Sequence, residues 1–321
     1  MDYWHVEIRC SAIELAAKLF IAIGGGRPPS ESEKKLPFRT GLRELTDDVI
    51  REMLQTLEHD TEIDAVISTC EAIQDLTNVF GVGFLEPYIK QLLALITLLL
   101  QEKTRCQCPE FDEADEDALF NVEQAESLLS TTFDVLGAVA QACGPSFEPH
   151  FRPLASLMMP YLETSRPVSQ RCLCLGAFAE IMDAIQAAAN NGPYADVLLP
   201  HIIRGLSVEC RGPGQEHDVR NIRRNSSYCA SVFVGACGNH SRMLSHFPTL
   251  LKCLRPLFVV NHRDDLVVRD NAASALSRMI LTAPSALPLL EVLPVLLSSL
   301  PLRKDEQENK IVYRSIFMLW K

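Results

Sequence analysis

The feature that most limits what this chain can fold into is a period. Residues 268–281, Val-Val-Arg-Asp-Asn-Ala-Ala-Ser-Ala-Leu-Ser-Arg-Met-Ile, put Val268, Ala272, Ala275, Leu276, Met279 and Ile280 on one helical face. The small residues Ala272 and Ala275 let a second helix come close. Arg269, Asp270 and Asn271 stand in the opening turn, where free backbone N–H groups favour an acid. The pattern returns. Ile222-Arg223-Arg224-Asn225 opens a similar helix 46 residues earlier, Ser169-Gln170-Arg171 another before that, and Ile8-Arg9 a fourth near the N-terminus. Prolines keep the same interval: Pro153, Pro200, Pro248 and Pro294 each precede an apolar run, at spacings of 47, 48 and 46 residues. Proline is tolerated in the first turn of a helix and breaks its interior, so it marks one early, kink-prone position per unit. Gln91 stands there in the preceding unit, 62 residues before Pro153, and an acidic insertion accounts for the excess.

Two marks on different helices sharing one period imply stacked helix pairs. A two-helix unit of roughly 40–47 residues lies in the HEAT or armadillo range. The expected fold is all-α, a HEAT-repeat right-handed α-solenoid. Residues 1–321 read as one such array of about six to seven repeats, the first truncated. Helices are expected at 4–23, 42–58, 62–80, 84–101 and from 121 onward. Pairs then follow at 147–163 with 167–189, 195–209 with 218–237, 243–258 with 265–282, and 287–300 with 306–320. Residues 24–41 form a polar Gly/Pro loop. An insertion near 102–121 carries six acids between Glu110 and Asp117 and reads as disordered.

Charge narrows the partners. Lys+Arg 30 against Asp+Glu 41 gives a net charge of −11. Such a chain is a poor nucleic-acid binder, because phosphate neutralisation drives that binding, and a fitting binder of basic proteins. Eleven cysteines, most inside apolar helical patterns, read as reduced buried thiols of a cytosolic or nuclear protein. Cys106 and Cys108 have no second nearby pair, so a zinc site is not expected. The Leu-rich run 92–100 is too short to span a bilayer, and no signal peptide is read. No nucleophile elbow, zinc-protease or phosphate-loop motif occurs, and the eight histidines are scattered. The chain reads as a binding surface, not an enzyme, with no cofactor, metal or membrane partner.

In a stack of this kind each repeat buries its apolar face against its neighbours. The second helices then line the concave side and their polar residues form a ladder. Arg171, Glu180, Arg223, Asn225, Tyr228, Arg269, Asp270 and Asn271 are expected on or near that groove. Polar residues at such sites also hydrogen-bond between repeats and hold the stack together, and the sequence leaves both roles open.

Several stretches in order carry a family resemblance: Glu102–Gln107 with the acidic run, SFEPHFRPL at 146–154, Ser169-Gln170-Arg171 with Gly176 and Ala179-Glu180, Arg224-Asn225, HFPTLLKCLRPL at 246–257, residues 268–281, and LPLRKDEQEN at 300–309. With these the chain resembles the importin-beta (karyopherin) superfamily, importin-four type, C-terminal portion. The resemblance implies a nuclear import receptor that shuttles between cytoplasm and nucleus through the nuclear pore. Its implied partners are basic cargo such as core histones and ribosomal proteins, Phe-Gly nucleoporins, and Ran-GTP. Ran-GTP is expected to bind this chain only weakly, since the family's Ran-binding repeats are N-terminal. Carried over by position, a pocket for a cargo lysine would fall on Asn271, Gln307 and Glu308, with Tyr228 as aromatic neighbour and Asn225, Asp270, Glu306 and Glu180 around it. A carboxylate offsets the ammonium, and an aromatic face covers the alkyl stem. Gln307 departs from the family pattern, which has an acid there. Two other readings stay open: a non-transport HEAT scaffold, or a histone chaperone acting through the acidic insertion.

Overall fold

In the computed structural model the described residues are 5–23, 40–108, 118–210, 212–238 and 240–320. The acidic run 110–117 and most of the 24–41 loop lie outside them. Among the described residues every regular element is helical, and the chain divides into two compact units, Met1–Cys143 and Gly144–Lys321.

In the first unit, α1 (Val6–Ile23) is followed by the pairs α2 (Thr40–His59) with α3 (Ile63–Phe80) and α4 (Ile89–Leu100) with α5 (Ala118–Cys143). The helices α1, α3 and α5 pack side by side, and α2 packs on α4. Each contributes an apolar stripe at helical spacing: Ile13, Ala17 and Phe20 from α1, Ile50, Leu54 and Leu57 from α2, Val66 and Ile73 from α3, and Leu92 and Ile96 from α4 are buried. Threonines in these seams return their hydroxyls to their own helix. Thr69 donates to the Ala65 carbonyl (2.7 Å) and Thr132 to that of Leu128 (2.6 Å), so burial leaves neither hydroxyl unpaired. Arg9 pairs with Asp60 at 2.9 Å and ties α1 to the turn between α2 and α3.

The second unit contains four pairs. Their second helices are α7 (Val168–Ile185), α10 (Glu216–Cys237), α13 (Asp265–Thr282) and α15 (Asn309–Trp320), and each packs on the next. The first helices are α6 (Glu148–Met158), α8 with α9 (Tyr194–Val197, Leu199–Leu206), α11 with α12 (Ser241–Ser245, Phe247–Leu254) and α14 (Leu289–Ser298). The sequence predicts an unbroken first helix in each pair. Two are broken instead. Pro200 and Pro248 stand in the first turn of α9 and α12, each behind a short separate helix, whereas Pro153 and Pro294 lie inside α6 and α14. A proline removes one backbone donor and clashes with the preceding turn, so a break at this position is one of its two ordinary outcomes. Phe151 anchors the first pair, with the Phe178 ring 5.8 Å and the Tyr194 ring 5.6 Å away between centroids. Among the described residues one stretch, 168–191, is long and apolar enough to cross a membrane, and its α7 portion buries nine of its residues in the packing of this unit.

Candidate functional site

The seams between α7, α10 and α13 gather most of the polar residues singled out from the sequence. At the first seam, Asn225 donates to the Asn221 carbonyl one turn back (3.0 Å). At the second, Asn271 of α13 donates its amide to the Arg224 carbonyl of α10 (3.1 Å) and is 7% exposed. Asp270 is fully buried. One of its oxygens accepts the backbone N–H groups of Arg303 (2.8 Å) and Lys304 (2.7 Å), and the other accepts the Arg269 guanidinium (2.8 Å). The expectation that Asp270 and Asn271 line an open groove is therefore corrected. Both polar groups are directed into the protein, because each satisfies backbone groups left over where a neighbouring element ends or approaches.

One helical turn further along α10 a different environment opens. Tyr228 is half-buried, and its phenol is pushed up to about 12, first by burial and then by the negative charges of Glu180, Asp183 and Glu308. It is a neutral hydroxyl donor at any physiological pH. Glu180 and Asp183 stand one turn apart on α7 and both are exposed. Glu308 sits in the turn before α15, with Glu306 and Gln307 exposed beside it. The structure thus sets the charges of Glu180, Asp183 and Glu308 to act on Tyr228. It leaves Asn225 in the α7–α10 seam and Glu306 and Gln307 on an outer turn.

Glu308 is engaged from inside. Arg278 of α13 reaches both its oxygens, one at 3.0 Å, and Ser274 donates a short hydrogen bond to it. Ser231 of α10 meets Ser274 at 2.7 Å and accepts from Arg278 at 2.7 Å. Burial alone would raise the Glu308 carboxyl, but the Arg278 and Ser274 hydrogen bonds and the Arg278 charge hold it below the ordinary carboxylate range. Asp183, Arg278, Ser231 and Ser274 escape sequence reading. The available signal was spacing: Asp183 follows Glu180 by three residues, and Ser231 on α10 precedes Ser274 and Arg278 on α13 by 43 and 47 residues, nearly one repeat. Among the described residues no group of three His, Cys, Asp or Glu side chains could hold a metal ion.

A second concavity lies on the side of the first helices. It has a volume of about 240 Å³, with Pro248, Leu251, Phe258, Val292 and Val295 on its walls and the Arg255–Glu291 pair, 3.7 Å apart, at its rim.

No protein-family model matches the chain. It is 27% identical to human importin-4 over 98% of its length and 26% identical to mouse importin-4 over 95%, and it spans 28% and 27% of those relatives. Over 66% of its length it is 27% identical to the probable importin subunit beta-4 of the fission yeast Schizosaccharomyces pombe. Among solved structures, importin beta superposes over 98% of this chain and 36% of its own, with a TM-score of 0.68 at 13% identity. Kap121p bound to Pho4p superposes over 96% of this chain and 31% of its own, with a TM-score of 0.53 at 12% identity. At those identities the structural likeness speaks for the fold, a HEAT-repeat α-solenoid, and the sequence likeness carries the kinship. Along nearly its whole length the chain is thus similar in sequence to the importin-4 proteins, and in its repeat period and paired helices it shares the fold of the importin-beta karyopherins.

Proposed function

We propose that this chain acts in nuclear import by binding lysine-rich segments of basic cargo, such as core histones or ribosomal proteins, across the face of α7 and α10. The observation that carries this reading is Tyr228, a neutral aromatic donor with the acids Glu180, Asp183 and Glu308 acting on it from two neighbouring elements. An aromatic face covers a lysine stem while nearby carboxylates receive the ammonium. Two exposed acids in a chain of net charge −11 also steer a basic peptide toward the site. Glu306 and Gln307, exposed in the turn before α15, form the rim in this reading, and Asn225, Asp270 and Asn271 hold the helices that present it.

Phe-Gly nucleoporins are assigned to the other side. The cavity between α12 and α14 offers apolar walls of a size suited to an aromatic side chain. The chain spans 28% of the human relative, so transport itself is a proposal about the protein that carries this sequence.

The test is a pulldown with a lysine-rich tail peptide against a scrambled peptide of equal charge and against the lysine-acetylated form. Preference for the unmodified, unscrambled peptide supports the reading. Equal capture of the scrambled peptide would reduce the site to a diffuse acidic surface.

A further inference from the structure

A third concavity, of about 210 Å³, lies between the first two turns of α10 and the connection from α12 to α13. Its floor is apolar: Val219, Leu257 and Val268 are buried, and Val259 stands at the edge, 63% exposed. Arg220 and Arg223, one turn apart on α10, bring two guanidinium groups to its wall. Arg220 is committed within the protein. Its Nε donates to Asp265 at 3.1 Å, and Asp264 lies 3.7 Å from one of its terminal nitrogens. The other Asp265 oxygen accepts the backbone N–H groups of Asn261 (3.1 Å) and His262 (2.8 Å), so that acid is satisfied as well. Glu216, the second acid on the wall, accepts the Gly214 N–H at 2.9 Å. Arg223 is committed at one end only. Its Nε donates to the Val208 carbonyl at 3.0 Å, which anchors the group. Among the described residues no acid pairs with it, and its two terminal nitrogens carry four N–H donors without an acceptor. The Asn261 side-chain amide, also without a partner among the described residues, lines the same cavity.

An anchored guanidinium fork beside an apolar floor recognises a carboxylate carried next to an apolar group. We infer that this cavity binds the free C-terminal carboxylate of a partner polypeptide that ends in an aliphatic residue. The carboxylate takes the Arg223 fork, Asn261 donates beside it, and the terminal side chain covers Val219, Leu257 and Val259. Size selects a terminus over an internal acid. The space is smaller than the roughly 300–1,000 Å³ of a small-molecule site and admits about one residue. Only at a C-terminus do a carboxylate and an apolar side chain leave the same Cα. An internal Asp or Glu needs a neighbouring residue, about 3.8 Å along the chain, to supply the apolar contact. Fork geometry discriminates more than charge does: in a chain of net charge −11, Glu216 on the wall works against any loosely held anion.

The test is fluorescence anisotropy of the whole chain with a labelled peptide ending in a free-acid leucine. Two further peptides set the comparison: the same sequence as its C-terminal amide, and an amidated peptide with an internal Asp-Leu pair. The free acid should bind at least about tenfold more tightly than either, the effect expected of a charge-assisted bidentate pair. Arg223→Gln should abolish that preference, and Arg223→Lys should keep only part of it, since an ammonium lacks the fork. Arg224→Gln, at the exposed neighbour outside the cavity wall, should leave it unchanged. Cys210, exposed and on the wall, gives a readout in the parent chain that needs no substitution. The free acid should slow its alkylation, read by mass spectrometry, and leave that of the exposed Cys108 unchanged. Equal binding of the free acid and the amide, or no binding of the free acid up to about 1 mM, would overturn the inference. An equal loss in Arg223→Gln and Arg224→Gln would do the same, because the attraction would then be diffuse.

Discussion

Asp270 gives the sharpest test of how the second unit is held together. It is fully buried in the first turns of α13, and it accepts four hydrogen bonds: from Arg303 N–H at 2.8 Å, Lys304 N–H at 2.7 Å, and Arg269 at 2.8 and 3.2 Å. Asp270→Ala leaves a guanidinium and two backbone donors without their acceptor. Breaking a buried charged network from one side costs about 3–5 kcal/mol. Water entering the space left by the carboxylate recovers part of that, so about 3 kcal/mol is expected. Asp270→Asn keeps one acceptor oxygen and the shape but turns an N–H₂ toward Arg269 or the loop, for about 2 kcal/mol. The loss should be local, in the 300–308 connection and α15. Native-state hydrogen exchange therefore reads it best: protection of the Arg303 and Lys304 amides should collapse while that of α7 is retained. Exchange at those two amides within a factor of about five of the parent, equivalent to roughly 1 kcal/mol, would refute the bracing role.

Acid should weaken the same region. Glu308 and Asp265 both titrate below their ordinary range in the folded chain. Burial alone would raise each, but at Glu308 the Arg278 and Ser274 contacts outweigh it, and at Asp265 the His262 and Asn261 backbone N–H groups and Arg220 do. Their stabilisation is complete above the unfolded carboxylate pKa of roughly 4 and is lost as pH falls through the lower folded values. Urea unfolding followed from pH 7 downward should show that slope, and the double variant Asp265→Asn/Glu308→Gln should flatten it. Gly205→Ala should cost about 2 kcal/mol, because the added Cβ would fall 2.0 Å from the buried Ser226 hydroxyl at the contact of α9 with α10; a variant as stable as the parent would refute that close approach. Thiol labelling of the native chain, read by mass spectrometry, should modify the exposed Cys108 and Cys210 first. The buried Cys70, whose thiol burial pushes up to about 12, and the buried Cys174 and Cys229 should resist until unfolding.

The architecture was largely legible because it is repetitive. Helix α13 spans Asp265–Thr282, the bounds read from its periodicity, and α10 and α7 begin within two residues of theirs. The breaks at Pro200 and Pro248 were less so. One proline position occurs in four units, and whether the chain kinks or restarts there depends on packing that the repeat pattern does not encode. The site divided along the same line. Tyr228 and Glu180 follow from their positions on the second helices, and Glu308 from the family resemblance. Asp270 and Asn271 look identical in sequence to surface polar residues, and only the approach of the Arg303–Lys304 backbone and the Arg224 carbonyl makes them internal. Arg278 was invisible for a related reason. Its partners Ser231 and Glu308 lie 47 and 30 residues away and meet it only when α10, α13 and α15 pack.

The central claim, that the α7–α10 face receives lysine-rich cargo, is tested most directly by titrating one lysine-rich tail peptide into the parent chain and into Glu180→Gln/Asp183→Asn/Tyr228→Ala. The account predicts that the triple variant binds at least about tenfold more weakly, with a shallower salt dependence and an unchanged unfolding midpoint. Equal affinity and an equal salt slope in the two proteins would contradict it.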